Sequence, residues 1–210
     1  SLANLASQYS GLAGMMGFRG LGGPAAVDET AISVETLNSF HFFETHLYES
    51  FLVGLMASKD WNKSTNELII DDALYNVETS SWVSSEFGGD EIPSPQKAYK
   101  KFKNLATIAE DRLTGFVTIK IKHYSPYVAR DWAREVIDDI NDSVKVRDVE
   151  KARRTIDYLT EQRTKTSLVS LDSIMARLIE EQIKTMMLAD VDKEYVFRVI
   201  EPPTFSEKKL

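Results

Sequence analysis

The longest uninterrupted pattern of apolar and polar positions lies in the second half of the chain. Ser125 and Pro126 are typical of the cap and the first position of a helix, and residues 126–166 contain no glycine and no further proline. A helix of this span is about 60 Å long, whereas a compact domain of this size is only about 45 Å across. The pattern therefore predicts a helix that protrudes from the rest of the domain. Its apolar positions recur at four-residue and then heptad-like steps: Val128, Trp132, Val136, Ile140, Val149, Ala152, Ile156 and Leu159.

A second amphipathic stripe follows and predicts a descending helix that ends near Ala189. We expect the chain to reverse within residues 160–170, so that the two helices form an antiparallel hairpin. Two helices seldom cover each other's whole apolar surface, so neighbouring copies of the chain are expected to cover the remainder. The residues predicted to pack within the hairpin or between copies are Val149, Ile156, Leu159, Leu168, Leu171, Met175 and Leu178, with Ile179, Ile183 and Met187 continuing the stripe.

Strand-like patterns flank the long helices on both sides. Val117, Ile119 and Ile121 alternate with polar residues after a turn sequence, DRLTG, which is typical of a β-hairpin with one buried face. A later apolar run over residues 195–200 predicts a final strand that joins the same sheet. Pro202 and Pro203 end it, because proline cannot donate a hydrogen bond to a sheet ladder.

The first half of the chain predicts shorter elements. The small-residue segment 1–27 is typical of a weak helix and a connector, whereas helices are expected from Asp28 or Thr30 to about Leu47, over residues 51–57, and from Ser94. Taken together, the predicted elements indicate an α+β fold, in which an α/β base with a small mixed sheet carries a long protruding antiparallel helical hairpin. We interpret residues 1–210 as a single domain, with base segments 1–124 and 190–203, the hairpin at 125–189 and a tail at 204–210.

Composition narrows the possible functions. The formal net charge is −7, which gives no general attraction for phosphate backbones and disfavours nucleic acid as a partner. The chain has no cysteine, so disulfides, thiolate nucleophiles and cysteine metal sites are excluded. No apolar run reaches the roughly 18–20 residues that a membrane span needs.

Residues that could carry chemistry are present, but their spacing favours none of them. His41 and His46 are five residues apart, which is not the spacing that puts two imidazoles on one helical face, and His123 stands alone. The sequence therefore predicts no catalytic residue, no bound cofactor and no metal site. The acidic groups that we interpret as solvated are Asp71 with Asp72, Asp138 with Asp139, Glu180 with Glu181, and the segment DVDKE at 190–194, which lacks the glycine and distal glutamate of a calcium loop.

An ordered series of segments resembles the periplasmic part of the Wzz chain-length determinants, the polysaccharide co-polymerases. The series is LANLASQYSGLAGMMG, PSPQKAYKKF, TGFVTIKIKHYSPYVARDWAREVIDDIN, ARRTIDYLTEQ, LIEEQIKTMMLA and EYVFRVIEPP. It spans nearly the whole chain and is strongest from Pro93 to Pro203, whereas residues 58–92 match less clearly. No single segment is diagnostic, and the order of the series carries the resemblance.

The resemblance implies a place and a function. In that family a membrane span and a first strand precede this region and a second span follows it, so we expect a fragment that faces the periplasm at the inner membrane. Glu201, Pro202 and Pro203 would then lead toward the membrane beside a membrane-proximal base. Family members form rings and set the modal length of O-antigen or a related lipopolysaccharide glycan made by a separate polymerase. The implied partners are other copies of the chain, the glycan polymerase and the growing polysaccharide.

Two other classes of protein stay open from the sequence. The periplasmic part of a capsule or exopolysaccharide export co-polymerase, or a coiled-coil adaptor, would share the long helices. A glycan-active enzyme would instead need a pocket with two convergent carboxylates about 5 to 9.5 Å apart.

Overall fold

The computed structural model describes residues 29–83, 92–165 and 167–204 as a mixed helical and stranded fold. The helix predicted within residues 1–27 and most of the tail, residues 205–210, lie outside the described residues. The helices are α1 (Glu29–Leu37), α2 (Phe40–Phe42), a π-helical turn (Phe43–Leu47), α3 (Tyr48–Met56), α4 (Pro95–Leu105), α5 (Pro126–Lys165) and α6 (Val169–Val191). The strands are β1 (Ser58–Asn62), β2 (Glu67–Ile70), β3 (Tyr75–Asn76), β4 (Ser81–Trp82), β5 (Ala106–Glu110) and β6 (Val117–Ile121).

Local sequence signals start the helices of the second half. The Ser94 hydroxyl accepts a hydrogen bond from the Lys97 amide, and Pro95 takes the first position of α4. The hydroxyl of Ser125 likewise accepts from the Val128 amide at the start of α5. Each serine satisfies an amide that has no partner inside its helix, and proline gives up no hydrogen bond at a first position. The predicted starts of α4 and α5 and the length of α5 are confirmed.

The first helical region differs from its prediction. The helix does not run continuously to Leu47 and pause before Phe51; it breaks at Asn38 and Ser39 and then continues from Phe40 to Met56. The Ser39 hydroxyl accepts a hydrogen bond from the Phe42 amide and so caps the helix that begins at Phe40. A π-helical turn over Phe43–Leu47 inserts one wider turn, which keeps both Phe43 and Leu47 fully buried.

The strands pair as three antiparallel two-stranded sheets within the described residues, β1 with β2, β3 with β4, and β5 with β6. The predicted β5–β6 hairpin is confirmed, with Ile108 opposite Ile119 and Ala106 opposite Ile121. Asp111 stabilises the turn of this hairpin, because its carboxylate accepts a hydrogen bond from the Leu113 amide. Gly115 adopts the positive φ of 71° that the reversal of the chain needs. The prediction of one small mixed sheet is wrong.

The predicted final strand is also absent. Residues 195–200 form no ladder with β5 or β6, and the chain there is irregular. The backbone of Val196 and Phe197 is bonded instead to one side chain of α5, Asn141. An alternating apolar sequence needs a free strand edge within reach to become a strand, and here a buried amide side chain takes that place.

The core gathers aromatic side chains between α3, α4 and the first third of α5. Phe51 stacks on Trp132 with ring centroids 4.3 Å apart and planes inclined by 9°. Phe43 and Phe51 both contact the buried ring of Phe102, at 5.2 and 6.0 Å between centroids. This cluster fixes the start of α5 against α3 and α4, so the long helix is anchored at its N-terminal end.

Gly54 marks the tightest approach in this core. A β-carbon at position 54 would lie 2.9 Å from Cζ2 of Trp132, closer than two carbons can pack. The indole is held by its stack on Phe51 and cannot move without disturbing it. We expect Gly54→Ala to lower the free energy of unfolding by about 1–3 kcal/mol, which urea denaturation measures. Glycine in a helix is normally worse than alanine, so a stabilised variant would show that the ring yields freely.

Candidate functional site

The largest feature outside the core is the pair of long helices α5 and α6. They are consecutive in the chain and pack against each other. Near the turn, Arg163 donates two hydrogen bonds to the Asp172 carboxylate, at 2.7 and 3.3 Å. At the other end, the segment after α6 returns to Asn141 of α5. The two helices therefore run in opposite directions.

The Arg163–Asp172 pair has favourable electrostatics for a helix reversal. Arg163 lies in the last turn of α5 and Asp172 in the first turn of α6, where the helix dipoles favour a cation and an anion respectively. The hydrogen bonds from Arg163 hold the pKa of the Asp172 carboxyl below its usual value. Both side chains are exposed to solvent, so the pair orients the turn more than it stabilises the fold.

The residues predicted to pack between the helices occupy different depths. In α5, Ala152 and Leu159 are buried, whereas Val149 and Ile156 are half-buried. In α6, Leu171, Met175 and Leu178 are half-buried. Leu168 lies at the turn, and 59% of its surface is exposed in the part of the chain that the structure describes.

One face of α6 leaves apolar side chains in solvent. The continuation of the stripe through Ile183 and Met187 does not lie in the contact with α5, since both side chains are exposed. Val191, one turn further on, is 84% exposed. The exposed apolar side chains of α6 are Val169, Ile174, Ile183, Met187, Leu188 and Val191.

Asn141 is the polar residue that the sequence analysis missed. It is buried on α5, its Oδ1 accepts from the amides of Val196 and Phe197 at 2.8 and 2.9 Å, and its Nδ2 donates to the Phe197 carbonyl at 3.1 Å. A buried amide side chain with partners for both its ends is a specific clamp on the returning chain. A signal was present in the sequence, because position 141 lies three residues before the apolar Val144 and so shares its helical face.

The segment that follows the clamp leads to the predicted membrane-proximal residues. The Tyr195 hydroxyl donates to the Asp148 carboxylate at 3.3 Å, so two residues of α5, Asn141 and Asp148, hold this segment. Glu201 and Pro202 are exposed and Pro203 is half-buried. Their role stays a prediction.

The acidic pairs that the sequence analysis singled out lie on different elements, Asp138 with Asp139 on α5 and Glu180 with Glu181 on α6. Glu180 is bound to Lys184 at 2.9 Å, which lowers the pKa of its carboxyl. Asp139 is half-buried on α5, and burial, helped by neighbouring acidic residues, raises the pKa of its carboxyl. The electrostatic interaction of Asp139 with His46 of the π-helical turn acts in the opposite direction and lowers this pKa.

Among the described residues, no group of three or more histidine and acidic side chains is placed to hold a metal ion. A shallow groove of about 250 Å³ lies on the outer face of the β5–β6 hairpin. Its lining consists of Thr107, Ala109, Glu110, Asp111, Thr118 and Lys120, and Asp111 is already engaged in the turn.

Two findings bear on identity. None of the helices described is long and apolar enough to cross a bilayer. Sequence comparison finds no matching protein-family model and no matching curated protein for this chain.

Proposed function

We propose that this chain is the periplasmic part of a non-enzymatic regulator of polysaccharide chain length, acting as a ring of identical copies at the inner membrane. The polysaccharide is O-antigen or a related lipopolysaccharide glycan, and a separate polymerase in the same membrane makes it. In this proposal the α/β part lies near the membrane, and α5 and α6 project from it toward the growing polysaccharide.

The observation that carries the proposal is a long helix pair with apolar side chains left uncovered. α5 has 40 residues, which corresponds to about 60 Å of helix. Its aromatic anchor lies near one end, at Trp132, and α6 has only 23 residues, so it is shorter than the part of α5 that follows the anchor. The exposed side chains of α6, together with half-buried Val149 and Ile156, offer a surface that a neighbouring copy would cover.

The resemblance of the ordered segments to the chain-length determinants supplies the rest of the proposal. The residues of the strongest part, from Pro93 to Pro203, form α4, the β5–β6 hairpin, α5, α6 and the clamped segment. These elements are joined by the aromatic core and by Asn141, so shortening the far end of α5 and α6 leaves the anchor in place.

Shortening both helices by one heptad should change the length distribution of the glycan. Deleting residues 154–160 and 175–181 removes matched lengths on either side of the Arg163–Asp172 pair and retracts the turn by about 10 Å, while the apolar repeat stays in register. The variant is expressed as the full protein that its gene encodes, in cells that lack their own length regulator. We expect glycan chains of altered or random length on a gel.

A matched control keeps the helix length. Arg154→Ala removes only an exposed ion pair with Glu150, which is worth about 0.3–0.5 kcal/mol, and should keep the normal banding. Normal banding in a well-expressed shortened variant would contradict the proposal. Chains of normal length that fail to reach the cell surface would point to the export adaptor instead.

A further inference from the structure

The segment between β6 and α5 contains a histidine that joins three elements. The Nε2 atom of His123 lies 3.1 Å from the Gly54 carbonyl oxygen of α3 and 3.4 Å from the Ser58 hydroxyl of β1. Its Nδ1 atom lies 3.2 Å from the backbone nitrogen of Ser125, the residue that caps α5. The imidazole also packs edge-on against Trp132, with ring centroids 4.8 Å apart.

The partners of His123 determine which nitrogen carries the proton. A backbone amide can only donate, so Nδ1 must accept from Ser125 and carries no hydrogen. A carbonyl oxygen can only accept, so Nε2 must carry the hydrogen and donate it to Gly54. The contacts therefore select the neutral imidazole with its proton on Nε2. A second proton would have to enter at Nδ1, directly against the Ser125 N–H.

The surroundings also disfavour the charged ring. Burial lowers the pKa of His123, and the positive charge of Lys101 on α4 acts in the same direction, whereas backbone hydrogen bonding at Gly54 and at Ser125 opposes them. The ring meets the Gly54 carbonyl from α3, the Ser58 hydroxyl from β1 and the Trp132 indole from α5. Tyr124, on the same connection, is 6.1 Å away between ring centroids. None of these groups gains a charge in mild acid.

We propose that His123 is a pH-sensitive joint, which holds the start of the long helix α5 against α3 and β1 while neutral and releases it when protonated. Protonation at Nδ1 breaks the bond from the Ser125 amide and brings two N–H groups face to face. Ser125 is at the same time the cap of α5. Ser125 therefore makes the bond that breaks and also caps the long helix, so acid acts first on the N-terminal end of α5.

The direction of the pH effect follows from linkage. The unfolded chain has an ordinary histidine with a pKa near 6.5, and the folded chain has a lower one. The contribution of His123 to stability is therefore fully present above about pH 6.5 and is lost as the pH falls from there through the folded pKa. One proton changes the unfolding equilibrium by at most about tenfold per pH unit in that window.

The protein itself supplies the first test. Nitrogen-detected NMR of the imidazoles reports both the tautomer and the titration of His41, His46 and His123 separately. We expect the Nε2–H tautomer for His123, a titration midpoint below that of an ordinary histidine, and amide shifts of Ser125 and Val128 that move with it. The Nδ1–H tautomer, or a midpoint at or above an ordinary histidine, would overturn the proposal.

A variant tests the consequence for stability. His123→Gln keeps a donor for Gly54 but cannot gain a proton, whereas His41→Gln removes an exposed histidine as the matched control. Urea unfolding at about pH 7.5 and at about pH 5.5 gives the change in the unfolding equilibrium constant caused by acid. Compared with the unmodified protein, this change should be smaller in His123→Gln, by at most about tenfold, and the same in the control. Equal acid effects in both variants would also overturn the proposal. If His123→Gln does not fold, the NMR titration of the unmodified protein decides alone.

Discussion

Replacing Trp132 by alanine should lower the free energy of unfolding by about 3–5 kcal/mol. The indole is buried, stacks on Phe51 and packs against His123, and a β-carbon at Gly54 would collide with it. Its removal leaves a cavity at the point where α3, α5 and the connection after β6 meet, and rigid aromatic neighbours cannot close it. Urea denaturation of the chain, followed by circular dichroism, measures the loss.

Trp61 provides the matched control for Trp132. It is a partly exposed tryptophan on β1 that contacts Tyr127 at 6.0 Å between ring centroids and donates to Asn66. Trp61→Ala removes the same side chain from a site where water replaces it, so we expect a clearly smaller loss of stability. Equal losses in the two variants would mean that Trp132 does not anchor α5.

Replacing Asn141 by leucine should lower the free energy of unfolding by about 2–3 kcal/mol. Leucine has the same number and branching of side-chain heavy atoms as asparagine but leaves the amides of Val196 and Phe197 without an acceptor, and the Phe197 carbonyl without a donor. The segment after α6 then loses its attachment to α5. Amide hydrogen exchange at Val196 and Phe197 should become faster than in the unmodified protein, and urea denaturation gives the total loss.

Two neighbouring substitutions separate the clamp from general disturbance of α5. Asp142→Ala removes an exposed carboxylate one residue away and should leave both measurements nearly unchanged. Asn141→Asp keeps the acceptor for the two amides but loses the donor to Phe197, so its stability should lie between those of the unmodified protein and Asn141→Leu. Unaltered exchange at Val196 and Phe197 in Asn141→Leu would show that the returning segment is held elsewhere.

Signals that act over a few residues were sufficient to predict several elements. Ser94 with Pro95, and Ser125 with Pro126, begin α4 and α5 at the expected residues, because capping and the fixed φ of proline are local effects. The alternation of Val117, Ile119 and Ile121 gave the β5–β6 hairpin for the same reason. The absence of glycine and of further proline over residues 126–166 predicted one uninterrupted helix, and α5 is a helix of 40 residues.

The elements that the sequence predicted wrongly depend on residues that are distant in the chain. Residues 195–200 have the composition of a strand, but Asn141, more than fifty positions earlier, binds their backbone through its side chain. The π-helical turn at Phe43–Leu47 places two side chains in a core that Phe102 completes from another helix. Neither outcome is encoded within a window of neighbouring residues.

The sequence by itself determined the helix starts, the β5–β6 hairpin and the length of α5, because capping, alternation and backbone freedom act between near neighbours. Only the tertiary structure decided which side of α6 faces α5, which polar residue holds the returning chain, and which nitrogen of His123 carries its proton. Those outcomes depend on atoms that are distant in the sequence and meet only when the chain has folded. A buried hydrogen bond between distant residues stabilises the protein only after folding has placed the donor and the acceptor together. No local pattern of residues can therefore specify it.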